Sequence, residues 1–181
     1  IYVHDGISST VTSSFSSPVS FPYGLTIDPN NNLISSDNGT DKIYVHQGIS
    51  STITSSFDTP GGNTRGITID PNGNLISSDI GTNPDTIYIH DGISATTTNS
   101  FSSPGNGLRG ITIDPNNNLI SSDIVTGTIY IHDGISATTT NSFSSPGGGP
   151  RGITIDPNSG DLIVADYDVN SNSRKFFIVS L

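Results

Sequence analysis

Three sets of residues in this chain combine type and spacing in a way that could do chemistry. Asp28, Asn30 and Asn32 form an Asp-x-Asn-x-Asn run that returns as Asp70, Asn72, Asn74 and as Asp114, Asn116, Asn118. Alternate oxygens at that spacing can converge on a hard cation, so calcium is one reading. A tight hairpin is the other, and the Pro at the second position suits it better; the calcium loop's terminal Glu is impossible in a chain without Glu. His4, His46, His90 and His132 also recur in register. A shared metal needs ligand nitrogens about 2 Å from one ion, whereas neighbouring sheets lie about 10 Å apart, so these histidines are expected to fill a repeated packing slot. Arg65, Arg109 and Arg151 each precede a Gly-Ile-Thr-Ile-Asp run, and Tyr23 takes that place in the first copy. They have two possible uses. They can pair with Asp37, Asp79, Asp123 and Asp166, which end the following strands, at about 0.2–1 kcal/mol per exposed pair. Alternatively, they form a ring of guanidinium groups that captures an anionic ligand.

Covalent and acid–base catalysis find less support. Serine is abundant, but no Gly-x-Ser-x-Gly elbow occurs, there is no cysteine, and the histidines occupy equivalent positions in every copy. The expectation is a protein that is not an enzyme and carries no cofactor, calcium excepted. Tyr44, Tyr88 and Tyr130 are the candidates for a sugar-stacking surface, each set against the alternative of packing between sheets with its hydroxyl on a polar partner.

The elements that must position these groups follow from an internal period of about 42 residues. Ile1-Tyr2-Val3-His4 returns as Ile43-Tyr44-Val45-His46, Ile87-Tyr88-Ile89-His90 and Ile129-Tyr130-Ile131-His132. Residues 87–105 and 129–147 are identical over 19 positions. Each unit reads as four short strands. Gly66-Ile67-Thr68-Ile69-Asp70 alternates with period two, Pro71-Asn72-Gly73-Asn74 is a turn, and Asn74 to Asp79 returns. A third strand, Ile87 to His90, ends in Asp91-Gly92, and a fourth runs through Thr96 to Phe101. Four antiparallel strands per unit of this length define a propeller blade. The prediction is one all-β domain over 1–181, with a strand pair at 1–17, blades at 24–57, 66–101 and 110–143, and terminal strands at 152–181.

The pattern Arg-Gly-Ile-Thr-Ile-Asp-Pro-Asn-Gly-Asn-Leu, followed by Ser-Asp and then Ile-Tyr-Ile-His, resembles NHL-type and streptogramin-lyase-like propeller repeats over nearly the whole chain. The resemblance implies the fold and leaves the function open, since propellers host many unrelated activities. Lyase- and lactonase-like propellers rely on a few blade-specific acid, His or metal residues, and the near-identical blades here single out no such cluster.

The strand count predicts a composite blade joining the two ends, with one third-type strand left over: Ile1 to His4, or Phe176-Phe177-Ile178-Val179. The second is the more hydrophobic and follows Arg174-Lys175, the only adjacent basic pair. One expectation is that this tail adds as a strand to another copy, giving a filament. The other is that it fastens its own ring, the first strand being left by excerption from a longer array.

Composition frames these readings. Of 181 residues 31% are hydrophobic and 12% charged, and the net charge is −10. Helix formers are nearly missing, while β-branched and turn residues abound. Six Lys and Arg cannot track a phosphate backbone, so nucleic acid is not an expected partner. Anionic membranes are disfavoured too, and no apolar run is long enough to insert. The chain begins at Ile1, which reads as a processed or excerpted product. With a Ser/Thr/Asn-rich, Lys-poor composition this predicts an extracellular or cell-surface protein. Its partners are expected to be copies of itself, with glycans as the alternative.

Overall fold

The structure is a computed structural model describing residues 1–6, 8–168 and 173–181; residue 7 of the predicted strand pair and residues 169–172 of the terminal segment lie outside it. All regular elements among the described residues are strands. A hairpin, β1 (Tyr2–His4) and β2 (Val11–Ser14), comes first. The first blade is β3 (Pro22–Ile27), β4 (Leu33–Asp37), β5 (Lys42–His46) and β6 (Ile53–Asp58). The second is β7 (Thr64–Ile69), β8 (Leu75–Asp79), β9 (Thr86–His90) and β10 (Thr97–Ser102). The third is β11 (Leu108–Ile113), β12 (Leu119–Asp123), β13 (Thr128–His132) and β14 (Thr139–Ser144). The fourth has three strands, β15 (Pro150–Ile155), β16 (Leu162–Asp168) and β17 (Ser173–Val179). Every pairing is antiparallel between consecutive strands, so this is a four-bladed, all-β propeller.

The turns explain the register. In the first hairpin, Asp28 Oδ1 accepts the N–H groups of Asn30 (2.9 Å) and Asn32 (2.7 Å), and Asn31 adopts a positive φ of 64°. Asn117 does the same at 66°, and Gly73 stands at the matching place in the second blade. Asn and Gly are the residues that tolerate this left-handed conformation.

The second strands β4, β8 and β12 are buried along their whole length. Alternation then splits their side chains between two neighbours. Ile34, Ile76 and Ile120 enter clusters that straddle blade boundaries. Ile76, Ile87 and Ile89 of the second blade, for example, pack with Leu108, Ile111 and Leu119 of the third.

Innermost strands pack in the order β3, β7, β11, β15. Closure of this approach depends on glycine. A Cβ on Gly66 would lie 2.7 Å from the Arg109 carbonyl oxygen, and one on Gly110 2.9 Å from that of Arg151. At Gly152 the nearest atom to such a Cβ is the Ala165 Cβ at 3.7 Å, within its own blade. Among the described residues the fourth blade therefore has no following neighbour, and these strands leave the propeller open as an arc.

This corrects the predicted composite blade. β1 and β2 form a separate two-stranded sheet, and β17 pairs with β16 over seven residues, from Leu162↔Val179 to Asp168↔Ser173. The hairpin stays at the front of the first blade, where Phe15 meets His46 with ring centroids 6.2 Å apart. Phe57 meets His90 and Phe101 meets His132 in the same way. β1 and β2 thus stand where the outer two strands of a preceding blade would stand.

Candidate functional site

Each candidate arginine sits in a β-bulge. Pairing of β7 with β8 shifts register between Thr64 and Ile67, and β11 and β15 shift at the equivalent places. The extra residue re-aims the local side chain away from the ladder. Its unpaired neighbour is satisfied by a serine: the Gly66 N–H donates to Ser78 Oγ at 2.8 Å, and that of Gly110 to Ser122 Oγ at 3.0 Å. The fourth blade has Ala165 at this position. These bulges aim Arg65, Arg109 and Arg151 into one recess of about 280 Å³ at the axis. Its walls are the glycines of the bulges with Leu25, Ile67, Ile111 and Ile153, and Tyr23 completes the rim. The Arg65 guanidinium lies 3.9 Å over the Tyr23 ring, and that of Arg151 lies 5.9 Å from the Tyr167 ring. Burial lowers the Arg109 guanidinium below its ordinary range, and the charges of Arg65 and Arg151 push the same way.

The alternative of Arg–Asp pairing is corrected. Asp37 accepts the N–H groups of Phe21 (2.8 Å), Gly39 (3.0 Å) and Thr40 (2.8 Å). Asp123 serves Gly107, Val125 and Thr126, and Asp166 serves Gly147, Gly149 and the Ser145 hydroxyl. Asp79 Oδ1 accepts from Gly81 at 2.7 Å. These carboxylates organise the loops, where each can take several backbone donors at once. Lys42 and Asp58 form an ion pair instead, at the surface.

The histidines take the packing role. His46, His90 and His132 are fully buried, with Nε2 2.9 Å from the hydroxyls of Ser35, Ser77 and Ser121. Nδ1 lies 2.7 Å from the carbonyl oxygens of Ser50, Ser94 and Ser136. A carbonyl only accepts, so Nδ1 carries the proton and Nε2 accepts from serine. His4, in the half-blade, is exposed.

Asp28, Asp70 and Asp114 use their side chains in the turns: Oδ2 of each accepts from the side-chain amide of Asn32, Asn74 or Asn118 at 3.0 Å. The Oδ1 atoms of those three asparagines accept the N–H groups of Gly48, Gly92 and Gly134. Asn30, Asn72 and Asn116 contribute backbone N–H groups. This is the hairpin geometry. Among the described residues no group of three His, Cys, Asp or Glu is placed to hold a metal.

Tyr44, Tyr88 and Tyr130 are half-buried, one per blade, away from the axial recess. The hydroxyls of Tyr44 and Tyr130 lie 3.1 and 3.5 Å from Thr40 and Thr126 Oγ1. In β17 the period-two split is sharp: Phe177 and Val179 pack on the third cluster, while Phe176 (80% exposed) and Ile178 (73%) face outward. Sequence reasoning missed the bulges, the Tyr167 contact and Asp85, a buried carboxylate that accepts the Leu108 N–H at 2.9 Å. The repeated Arg-Gly step, out of phase with the alternation that follows it, was the available signal for the bulges.

Fold and recess together define an open β-propeller whose axis is lined by arginine. No family model matches the chain, and no curated protein matches it. Solved structures do resemble it. The virginiamycin B lyase of Staphylococcus aureus is 20% identical with a TM-score of 0.65, over 93% of this chain and 59% of that one. The WD40 β-propeller domain of Doa1 is 16% identical with a TM-score of 0.64, over 86% and 50%. A protein of unknown function from Bacteroides caccae is 14% identical with a TM-score of 0.65, over 92% and 64%. The resemblance to streptogramin-lyase-like and WD40 propellers is one of fold. The chain spans between 50% and 64% of the length of these proteins.

Proposed function

We propose that this chain is a non-catalytic, extracellular structural protein that assembles head to tail with further copies of itself. The observation that carries this reading is the pair of unlike apolar faces at the two ends of the arc. Leu25 and Ile27 on β3 are 51% and 43% exposed, whereas the equivalents of Leu25 in the second and third blades, Ile67 and Ile111, are each 4% exposed. At the other end Phe176 and Ile178 are exposed, and among the described residues β17 has no outer strand beside it where β6, β10 and β14 complete the other blades. An edge strand with apolar side chains is a template for strand addition. A second copy's hairpin carries one strand of the missing fourth kind, β2, while its β1 is of the third kind, whose place β17 already fills. The tail thus contributes through its outer edge while remaining in its own blade. Near-identical blades suit repeated contacts better than one asymmetric active site, and the Ser/Thr/Asn-rich, Lys-poor composition supports the extracellular setting. A net charge of −10 makes copies repel, so association is expected to strengthen as salt is added.

Light scattering on the purified chain tests this. The expected result is a species heavier than 18.9 kDa that grows with concentration and salt. Phe176→Glu with Ile178→Glu, both on the outward face, is expected to return it to the monomer mass with an unchanged circular-dichroism spectrum. A wild-type chain that remains at the monomer mass at millimolar concentration sinks the proposal.

A further inference from the structure

Half of the chain's six basic residues line one recess, in a protein of net charge −10. Concentrating like charges in a partly buried site is unfavourable unless counter-charges accompany them. The carboxylates that end the second strands are engaged elsewhere: Asp37, Asp123 and Asp166 are turned to loop N–H groups, as is Asp79 through its Oδ1, and Asp85 offsets only part of the charge, at Arg109. Nε and Nη1 of Arg65 and Nε of Arg109 are buried without a hydrogen-bond partner among the described residues. Buried N–H donors of charged groups are expensive to leave unmade. We propose that the recess is a binding site for a small oxyanion carrying two or more negative charges.

The geometry suits that class of ligand. Each guanidinium offers up to five donors in a flat fork that matches carboxylate or phosphoryl oxygens. The Tyr23 ring, 3.9 Å from the Arg65 guanidinium carbon, restrains that side chain, so less of its freedom is lost when an anion binds. Arg151 is exposed at the open end of the arc and gives the ligand an approach. Leu25, Ile67, Ile111 and Ile153 wall the recess with hydrocarbon, which strengthens charge–charge attraction inside it. A dianion offsets two of the three guanidinium charges, where a chloride offsets one. The site lies within one chain, so it does not depend on self-assembly.

Isothermal titration with inorganic pyrophosphate and with citrate, at ionic strength held constant with sodium chloride, tests the assignment. Saturable binding of at least one probe at one site per chain is expected. Arg109→Gln, which keeps a polar side chain but removes the charge, is expected to weaken it at least tenfold. Arg174→Gln with Lys175→Gln, at the basic pair outside the recess, is expected to leave it unchanged, and circular dichroism establishes that each variant is folded. Absence of saturable binding for both probes overturns the site. So does an affinity that survives Arg109→Gln or disappears with the Arg174 and Lys175 changes.

Discussion

Acidification below about pH 6.5 is expected to destabilise this propeller, with His90 and His132 as the groups responsible. Burial lowers both imidazoles below their ordinary range, against a smaller opposite effect of the Ser94 and Ser136 carbonyls. The unfolded chain therefore takes up protons at a pH where the folded chain does not. Their neutral-state stability is whole above the unfolded pKa and is lost as pH falls towards the folded values. Each histidine contributes a slope of up to about 1.4 kcal/mol per pH unit within that window. Asp79 and Asp85 act in the other direction. Burial raises their carboxyls, so their ionised forms oppose folding, and that cost disappears as pH falls through their folded values. The loss should accordingly be steepest just below neutrality and flatten in more acid solution. Thermal melts across this range check the expectation. A variant with both His90→Gln and His132→Gln retains polar side chains there without titrating, and it should show a shallower slope. Equal slopes in the two proteins would exclude the histidines as the cause.

Gly66→Ala and Gly110→Ala should each lower stability by about 1–3 kcal/mol or more, because the added methyl meets backbone of the next blade at under 3 Å, which cannot rotate away. In a chain of this size each kcal/mol corresponds to roughly 2–4 °C in the melting temperature. Gly152→Ala is the informative contrast. Its methyl meets only the Ala165 Cβ at 3.7 Å, so the isolated arc should melt at the wild-type temperature. In the head-to-tail assembly an incoming innermost strand would arrive at this position, and the same methyl would hold it off. Unchanged melting with weakened association is therefore expected. Were Gly152→Ala as destabilising as Gly66→Ala, the fourth blade would have a neighbour after all and the open arc would be wrong.

The blade was legible because its signals are local and repeated. Alternation in Gly66 to Asp70, the Pro-Asn-Gly-Asn turn and the Asp91-Gly92 step each have one economical reading, and four copies in register remove most alternatives. The histidine slot was legible for the same reason. Closure was not, since whether four blades meet depends on small angles between sheets that no residue type encodes. The fate of Asp37 and Asp123 was hidden as well. A carboxylate that ends a strand beside a candidate arginine suggests an ion pair, but several loop N–H groups of its own blade lie closer and outcompete it. The bulge that aims Arg109 was written only in the Gly that follows it and in Ser122, a strand away.

The apolar clusters that straddle blade boundaries have a thermodynamic consequence. Ile34 and Ile43 share theirs with Ile67 and Leu75, and Ile120 and Ile129 share theirs with Leu162 and Val164. Half of every core thus comes from the next repeat, so the cooperative unit is the junction rather than the blade. Such a chain behaves as a short linear lattice with nearest-neighbour coupling, in which opening starts at the ends and moves inward one junction at a time. Amide protection should grade from β1 and β17 towards β8 and β12. Each further repeat would add one more junction than it adds ends, so a longer array gains stability almost in proportion to its length.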